Sequence, residues 1–151
     1  MKIVFDMDGT IADLYGVKNW LSLLRDYNPK PFEIAKPMWD MEKLATICKT
    51  LAHSGNEIHI VTWLSKESTP HYDIEVTEAK KVWLEKYGFY YNHFHAVPYG
   101  TPKAEVILPY MKQNETAILF DDNAEVRSSW HLGNAIDPQA KNILKILEKL
   151  L

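Results

Sequence analysis

Carboxylate side chains follow two short apolar segments of this 151-residue chain. Asp6 and Asp8 come directly after residues 3–5, and a second acidic pair at 121–122 comes directly after residues 118–120. Side chains alternate along a strand, so Asp6 and Asp8 point the same way, and the carboxyl ends of parallel strands meet at one edge of a sheet. We therefore expect all four carboxylates to converge at that edge.

Carboxylates gathered at one place need a compensating cation. Two unit charges about 4 Å apart repel by roughly 4 kcal/mol at an effective dielectric of about 20. Hard oxygen ligands with few neutral partners suit Mg²⁺. Asp121 is the expected direct ligand from its pair, and Asp122 is expected to reach the metal through water or to fix Lys103 or the loop. The predicted metal ligands are Asp6, Asp8, Asp121 and Asp122.

Strands and helices alternate along the chain, which favours an α/β fold with a doubly wound, mainly parallel, five-stranded sheet of the Rossmann-like kind. Short apolar runs predict strands at 2–5, 58–61, 93–97, 117–120 and 134–136. Apolar periodicity and capping residues predict helices at 40–53, 73–87, 102–113 and 124–131, and a last amphipathic helix capped by Asp137-Pro138. The aromatic stretch 14–39 interrupts this alternation, so we interpret residues 1–151 as one domain with a small helical cap insertion.

Four sequence motifs, in this order, resemble those of the haloacid-dehalogenase-like phosphatases. They are the DMDGT segment at 6–10, Thr62 at the end of the second strand, Lys103 at the start of a helix, and the acidic pair at 121–122. A DxDGT segment after an apolar strand is specific by itself, and together the four motifs span almost the whole chain. The resemblance implies the doubly wound fold, a Mg²⁺ cofactor and the hydrolysis of phosphate monoesters.

The resemblance also implies roles for the first two aspartates. Asp6 would be the nucleophile that accepts the phosphoryl group as an aspartyl-phosphate, and Asp8 would protonate the leaving oxygen and later deprotonate the attacking water. A carboxylate is ionised at pH 7 and needs no base, but it must approach an anionic phosphate. A metal ion and a lysine therefore have to screen the repulsion.

Five further residues are predicted to bind phosphate. The resemblance implies this role for Thr62 and Lys103, and a cation gains no stability from the macrodipole at a helix start, so helix stability does not explain the lysine. Gly9 lets the backbone approach a phosphate, and Thr10 can hydrogen-bond across the same turn. Lys66, four positions after Thr62, is a further candidate, with plain solvation as the alternative.

Within this superfamily the chain is similar to the 5′(3′)-deoxyribonucleotidases in its DMDG opening, in residues 62–66 and in residues 83–88. The expected partner is therefore a small phosphorylated substrate, with nucleotides as one class. The insertion is shorter than a full nucleotidase cap, and Trp63 stands where a small residue is common. A phosphatase for nucleic-acid 3′ ends or another large phosphoester is the first alternative, and a non-catalytic phosphate-binding regulatory module is the second.

Composition and charge narrow the expected partners. A net charge of −3 and a pI near 6.1 give no broad basic surface, so we expect no stable binding of duplex DNA. The chain has neither a membrane-span pattern nor a leader pattern, so we expect a cytoplasmic protein without membrane association. Cys48 and the pair His93 and His95 are expected to have packing or surface roles. A homo-oligomer is left open.

Overall fold

Seven strands, numbered along the chain, are present in the computed structural model, which describes residues 1–151. Five of the seven form one parallel sheet, and each predicted strand is among them, so the predicted doubly wound fold class is confirmed. The strands are β1 (Lys2–Phe5), β2 (Ala12–Asp13), β3 (Lys36–Pro37), β4 (Glu57–Trp63), β5 (His93–Val97), β6 (Ala117–Phe120) and β7 (Gly133–Ile136). The sheet order is β5-β4-β1-β6-β7, and β2 and β3 form a separate antiparallel ribbon.

Seven α-helices lie between and after these strands. No helix is long and apolar enough to cross a lipid bilayer. A single 3₁₀ turn, Leu108–Tyr110, follows the fifth helix. The helices are α1 (Trp20–Arg25), α2 (Lys30–Ile34), α3 (Met41–His53), α4 (Pro70–Lys86), α5 (Lys103–Ile107), α6 (Ala124–Ser129) and α7 (Ile143–Glu148).

The register of the sheet places the two acidic motifs side by side. Phe5, the last residue of β1, pairs with Ile60 of β4 and with Phe120 of β6. Asp6 and Asp121 are therefore the next residues on two adjacent parallel strands. The backbone ladder continues one step further, since the Asp6 amide donates to the Phe120 carbonyl at 2.9 Å. Both aspartates thus emerge at the carboxyl edge of the sheet.

Helices cover both faces of the sheet. Ile3 and Phe5 point to one face and pack with α3, α7 and part of α4, whereas Val4 points to the other face and packs with α5 and α6. A parallel sheet requires this arrangement, because both of its faces are apolar. The main helix residues in the two cores are Met41, Leu44, Ile47, Cys48, Leu51, Trp83, Leu84, Ile143 and Leu147 on the first face, and Ala104, Ile107 and Val126 on the second.

The segment 14–39 contains α1 and α2 and packs against α4. Phe32 of α2 shares a small buried cluster with Tyr72 of α4, whose hydroxyl also donates to a backbone carbonyl of the segment at 3.0 Å. At the other end, the Trp39 indole N–H donates to the Thr10 carbonyl at 2.7 Å. Aromatic side chains therefore fasten the segment both to α4 and to the loop after β1.

Among α3 to α6, the largest departures from the predicted helix bounds are at the start of α4 and the end of α5. α4 begins at Pro70, earlier than predicted, because the Thr69 hydroxyl caps its first turn by accepting from a backbone amide at 3.1 Å. α5 ends at Ile107, earlier than predicted, and the chain continues as a 3₁₀ turn. Pro109 accounts for the early end, because it has no amide proton to continue the helix.

The start of the last helix was also predicted wrongly. Asp137 and Pro138 lie in a turn, and α7 begins at Ile143. The Asn142 side chain caps this helix by accepting from the Lys145 amide. An asparagine competes with aspartate for the capping role, so local capping preference alone does not select between the two positions.

A thiol on α3 and an imidazole on β4 are both fully buried. Cys48 of α3 is a free thiol in the apolar core, where burial raises its pKa to about 12, and its predicted packing role is confirmed. His59 of β4 is also fully buried. Burial lowers the pKa of His59 to about 4 against the opposing effect of Glu57, so the ring is neutral at pH 7.

Candidate active site

Lys103 binds the carboxylates of both acidic motifs at the carboxyl edge of the sheet. Its Nζ lies 2.6 Å from Asp6 Oδ1 and 2.7 Å from Asp121 Oδ2. All three residues are buried. Burial alone would lower the pKa of Lys103, but the charges of Asp6 and Asp121 outweigh burial and raise that pKa. The site therefore contains a permanent cation between its two acidic motifs.

Thr10 ties the loop after β1 to the loop after β6. Its hydroxyl donates to Asp6 Oδ2 at 3.1 Å and accepts from the Asp122 amide at 3.2 Å. Thr10 is fully buried. Since Lys103 binds the other oxygen of Asp6, both oxygens of that carboxylate have a hydrogen-bond donor. Asp6 is thus held in one orientation by groups of the chain itself.

Three carboxylates at this edge, here called the acidic trio, lie close enough to share a metal ion. One oxygen from each of Asp6, Asp121 and Asp122 lies within 4.8 Å of the other two. Burial and the charge of Asp6 raise the pKa of Asp121 to about 6, and burial with both neighbouring charges raises the pKa of Asp122 to about 7. Lys103 is the only side-chain cation paired with the trio. The uncompensated negative charge and the all-oxygen donor set fit Mg²⁺.

Asp8 pairs with a second lysine instead of joining the acidic trio. Lys80 Nζ lies 2.9 Å from Asp8 Oδ2, 2.6 Å from Thr62 Oγ1 and 3.1 Å from the Trp63 carbonyl oxygen. The structure therefore brings together three of the four predicted metal ligands and gives the fourth its own cation. Burial raises the pKa of Asp8 in spite of the opposing charge of Lys80. The raised pKa favours a carboxyl group that can carry a proton.

Lys80 is a site residue that sequence reasoning missed. It is completely buried, and its Nζ also lies 5.0 Å from the centre of the Phe32 ring. The sequence did carry a signal, because Lys80 lies at helical spacing within the apolar stripe formed by Tyr72, Val76 and Trp83. A lysine in such a stripe is buried, and a buried lysine requires a charged partner.

Gly9 allows the loop after β1 to pass close to the acidic trio. Its φ of +80° lies in the left-handed region that favours glycine. A Cβ atom at this position would overlap Asp122 Oδ2 and lie 2.8 Å from Tyr15 Cε2. The close approach that requires a glycine here is therefore an approach to the Asp122 carboxylate.

A cavity of about 510 Å³ opens beside these groups. The segment 14–39 lines part of it with aromatic side chains, among them Tyr15 and Trp20. Thr10 and Thr62 are not part of its wall, and each is fully buried and bonded to a charged side chain of the site. The predicted site residues in the wall are Asp6, Asp8, Lys66, Lys103, Asp121 and Asp122.

Comparison with known proteins supports the architecture. No known protein family and no curated protein sequence matches this chain. The fold is similar to that of D,D-heptose 1,7-bisphosphate phosphatase from Burkholderia thailandensis, a phosphatase of the haloacid dehalogenase superfamily, with a TM-score of 0.53 and 13% sequence identity. The similarity covers 88% of this chain and 74% of that chain. The chain therefore shares the α/β fold of that phosphatase, which is the fold that the sequence resemblance implied.

Proposed function

We propose that the chain is a Mg²⁺-dependent phosphomonoester hydrolase that acts through an aspartyl-phosphate on Asp6. The observation that carries the proposal is the arrangement of two carboxylates at one cavity, each with its own lysine: Asp6 with Lys103, and Asp8 with Lys80. Two acidic groups in different environments can divide the work of nucleophile and proton donor.

In the first half of the reaction, Asp6 attacks phosphorus with a carboxylate oxygen. Lys103 and Thr10 hold this carboxylate, so it meets the phosphate in one orientation. As the new oxygen–phosphorus bond forms, the ester oxygen–phosphorus bond breaks, and the leaving oxygen takes the proton carried by Asp8. Lys103 offsets the negative charge of the phosphoryl oxygens.

In the second half, water cleaves the aspartyl-phosphate. Asp8, now a carboxylate, accepts a proton from the water as the water oxygen attacks phosphorus. The bond between phosphorus and the Asp6 oxygen breaks, which restores the Asp6 carboxylate and releases inorganic phosphate. Lys80 keeps Asp8 beside Thr62, so that one side chain performs both proton transfers from one position.

The acidic trio would hold the Mg²⁺ ion. When bound, the ion supplies Lewis-acid stabilisation of the phosphoryl oxygens and lowers the repulsion between phosphate and carboxylates. Asp122 fits a ligand role because no side chain forms an ion pair with its carboxylate, whereas Asp121 already binds Lys103 and the Asn123 amide. This assignment keeps Asp121 as a ligand and adds Asp122 as a direct one.

The cavity supports a nucleoside monophosphate as the substrate. Trp63 and Tyr99 lie in its wall with ring centres 4.9 Å apart, and Tyr15 and Trp20 form a second aromatic pair at 5.0 Å. Aromatic faces stack on nucleobases. A volume of about 510 Å³ is typical of sites for small ligands. Lys66 adds a positive charge to the same wall.

A phosphate-release assay with Mg²⁺ tests this proposal. The substrates are nucleoside 5′- and 3′-monophosphates, sugar phosphates, and oligonucleotides with a 3′-phosphate. We expect the fastest release from nucleoside monophosphates and no release when EDTA replaces Mg²⁺. Release from the 3′-phosphorylated oligonucleotides alone would favour the end-processing alternative. Binding of phosphate without turnover of any substrate would show a non-catalytic module.

Gly9→Ala is expected to lower both stability and activity. The left-handed backbone costs alanine about 1–2 kcal/mol, and the new methyl group must displace the Asp122 carboxylate. Gly55→Ala is the matched control, because Gly55 has a φ of +92° with nothing within 4 Å of the added Cβ. Urea unfolding should show destabilisation of both variants, whereas kcat/KM should fall only for Gly9→Ala. Equal kcat/KM values for the two variants would contradict the importance of the Asp122 contact.

A further inference from the structure

Four side chains that can bind metals lie on one face of the sheet, where β4 pairs with β5. Glu57 and His59 lie on β4, and His93 and His95 lie on β5. The register pairs His59 directly with His93. The two pairs are far apart in the sequence, so the spacing of His93 and His95 alone did not indicate a larger ligand set. We call these four residues the histidine cluster.

Three ligand atoms of the histidine cluster converge. Glu57 Oε2 lies 3.3 Å from His59 Nε2 and 3.9 Å from His93 Nε2, and one atom from each residue lies within 4.8 Å of the other two. In a tetrahedral zinc site with bonds of about 2.0 Å, the ligand atoms are about 3.3 Å apart. The Glu57 and His93 side chains are 32% and 37% exposed, so both have room to move the remaining distance.

Neighbouring groups orient two of these ligands. His59 Nδ1 lies 3.2 Å from His95 Nε2, and when Nδ1 donates this hydrogen bond, Nε2 keeps a free lone pair on the side of Glu57. Lys2 Nζ binds Glu57 Oε1 at 2.8 Å, which leaves Oε2 for the histidines. Metal-binding histidines and carboxylates are commonly held by outer partners of this kind.

We propose that Glu57, His59 and His93 form a second metal site, which takes a divalent transition ion of the zinc class. Two imidazole nitrogens and one carboxylate oxygen form a set that zinc accepts, with water as the fourth ligand. Imidazole ligands distinguish this site from the all-oxygen acidic trio, which suits Mg²⁺. His59 and Thr62 are three residues apart on β4, which is about 10 Å along a strand. The histidine cluster is therefore a separate site, and the proposal for it does not depend on the phosphatase mechanism.

An ion at this site would add a link between the edge strand β5 and its neighbour β4. β5 is one of the two edge strands and pairs only with β4, and the three ligands lie on these two strands. Edge strands have one unpaired side and open more easily than central strands. A ligand that binds only the folded chain stabilises it by mass action, so zinc should raise the unfolding temperature.

Zinc titration of the full chain tests the site. Isothermal titration calorimetry is performed in excess Mg²⁺, which competes for the acidic trio. We expect one Zn²⁺ per chain and a raised thermal unfolding midpoint, with both effects lost in His93→Gln. The matched control is His71→Gln, because His71 is an exposed histidine of α4 that pairs with Glu75 outside the histidine cluster. This control should bind zinc as the wild type does.

A measurement on the wild-type chain tests the proposal even when His93→Gln does not fold. Zn²⁺ should shift the ring resonances of His59 and His93 in NMR spectra, while those of His71 stay in place. Zinc binding that persists in folded His93→Gln would overturn the proposal. Absence of zinc binding by the wild type, or resonance shifts that omit both His59 and His93, would overturn it equally.

Discussion

Phosphate release by the Asp6→Asn variant is expected to fall by a factor of about 10⁴ or more. A carboxamide does not form the aspartyl-phosphate, and no other carboxylate lies between Lys103 and Thr10. The fold should persist because the two side chains have the same size. The variant loses the stability that the ion pair of Asp6 with Lys103 contributes, but it also loses the repulsion between Asp6 and Asp121. These two effects on stability oppose each other, so the unfolding midpoint in EDTA should stay close to that of the wild type.

Asp26→Asn is the matched control for Asp6→Asn. Asp26 is exposed at the end of α1 and is not part of the cavity wall, so this variant should turn over substrate at the wild-type rate. The variants react with a substrate that carries a label on phosphorus, and the reaction is then quenched rapidly. Label should be found on the wild-type chain and on Asp26→Asn, but not on Asp6→Asn. Wild-type turnover by Asp6→Asn would exclude the aspartyl-phosphate mechanism.

The strands of the sheet and the acidic residues at its carboxyl edge could be predicted from the sequence because the patterns that specify them are local. β1 and β6 are short apolar runs that each end in a phenylalanine followed directly by an aspartate. Pairing of Phe5 with Phe120 then places Asp6 next to Asp121 without any adjustment of the loops. Convergence of these carboxylates follows from strand polarity alone, and Lys103 was found through its motif.

The partners of Asp8 could not be predicted in the same way. Strand alternation places Asp6 and Asp8 on the same side, which led to the expectation of four metal ligands. A buried lysine on a distant helix competes for Asp8, and that contact exists only after α4 packs beside β4. The ligand set at this edge therefore depends on tertiary packing, which local spacing does not encode.

The histidine cluster shows the same dependence on non-local pairing. His93 and His95 follow a strand spacing that is common in packed sheets, and nothing near them in the sequence completes a metal site. Glu57 and His59 reach them only through the parallel pairing of β4 with β5. The start of α7 was predicted wrongly for a different reason, because Asp137 and Asn142 have nearly equal preference as helix caps.

Lys80→Met is expected to lower the rate for alkyl phosphates by about 10²-fold, the cost of displacing a catalytic group by about 1 Å. The ammonium of Lys80 joins Asp8, Thr62 and the Trp63 carbonyl, and methionine has a similar length but no charge. Lys80 is thus a positioning residue for the proton donor. The kcat/KM for p-nitrophenyl phosphate, which reports the first half of the reaction, should fall much less, because its leaving oxygen departs without needing a proton.

Stability has to be separated from this effect on rate. Removing one partner of a buried ion pair costs about 3–5 kcal/mol, so both rates are measured at a temperature where circular dichroism shows a folded variant. Lys81→Met is the matched control, since Lys81 is the next residue of α4 and is exposed beside the Phe94 ring. Lys80→Arg keeps the cation and should recover part of the alkyl phosphate rate. An equal loss of kcat/KM for both substrates in Lys80→Met would contradict the positioning of Asp8 as the proton donor.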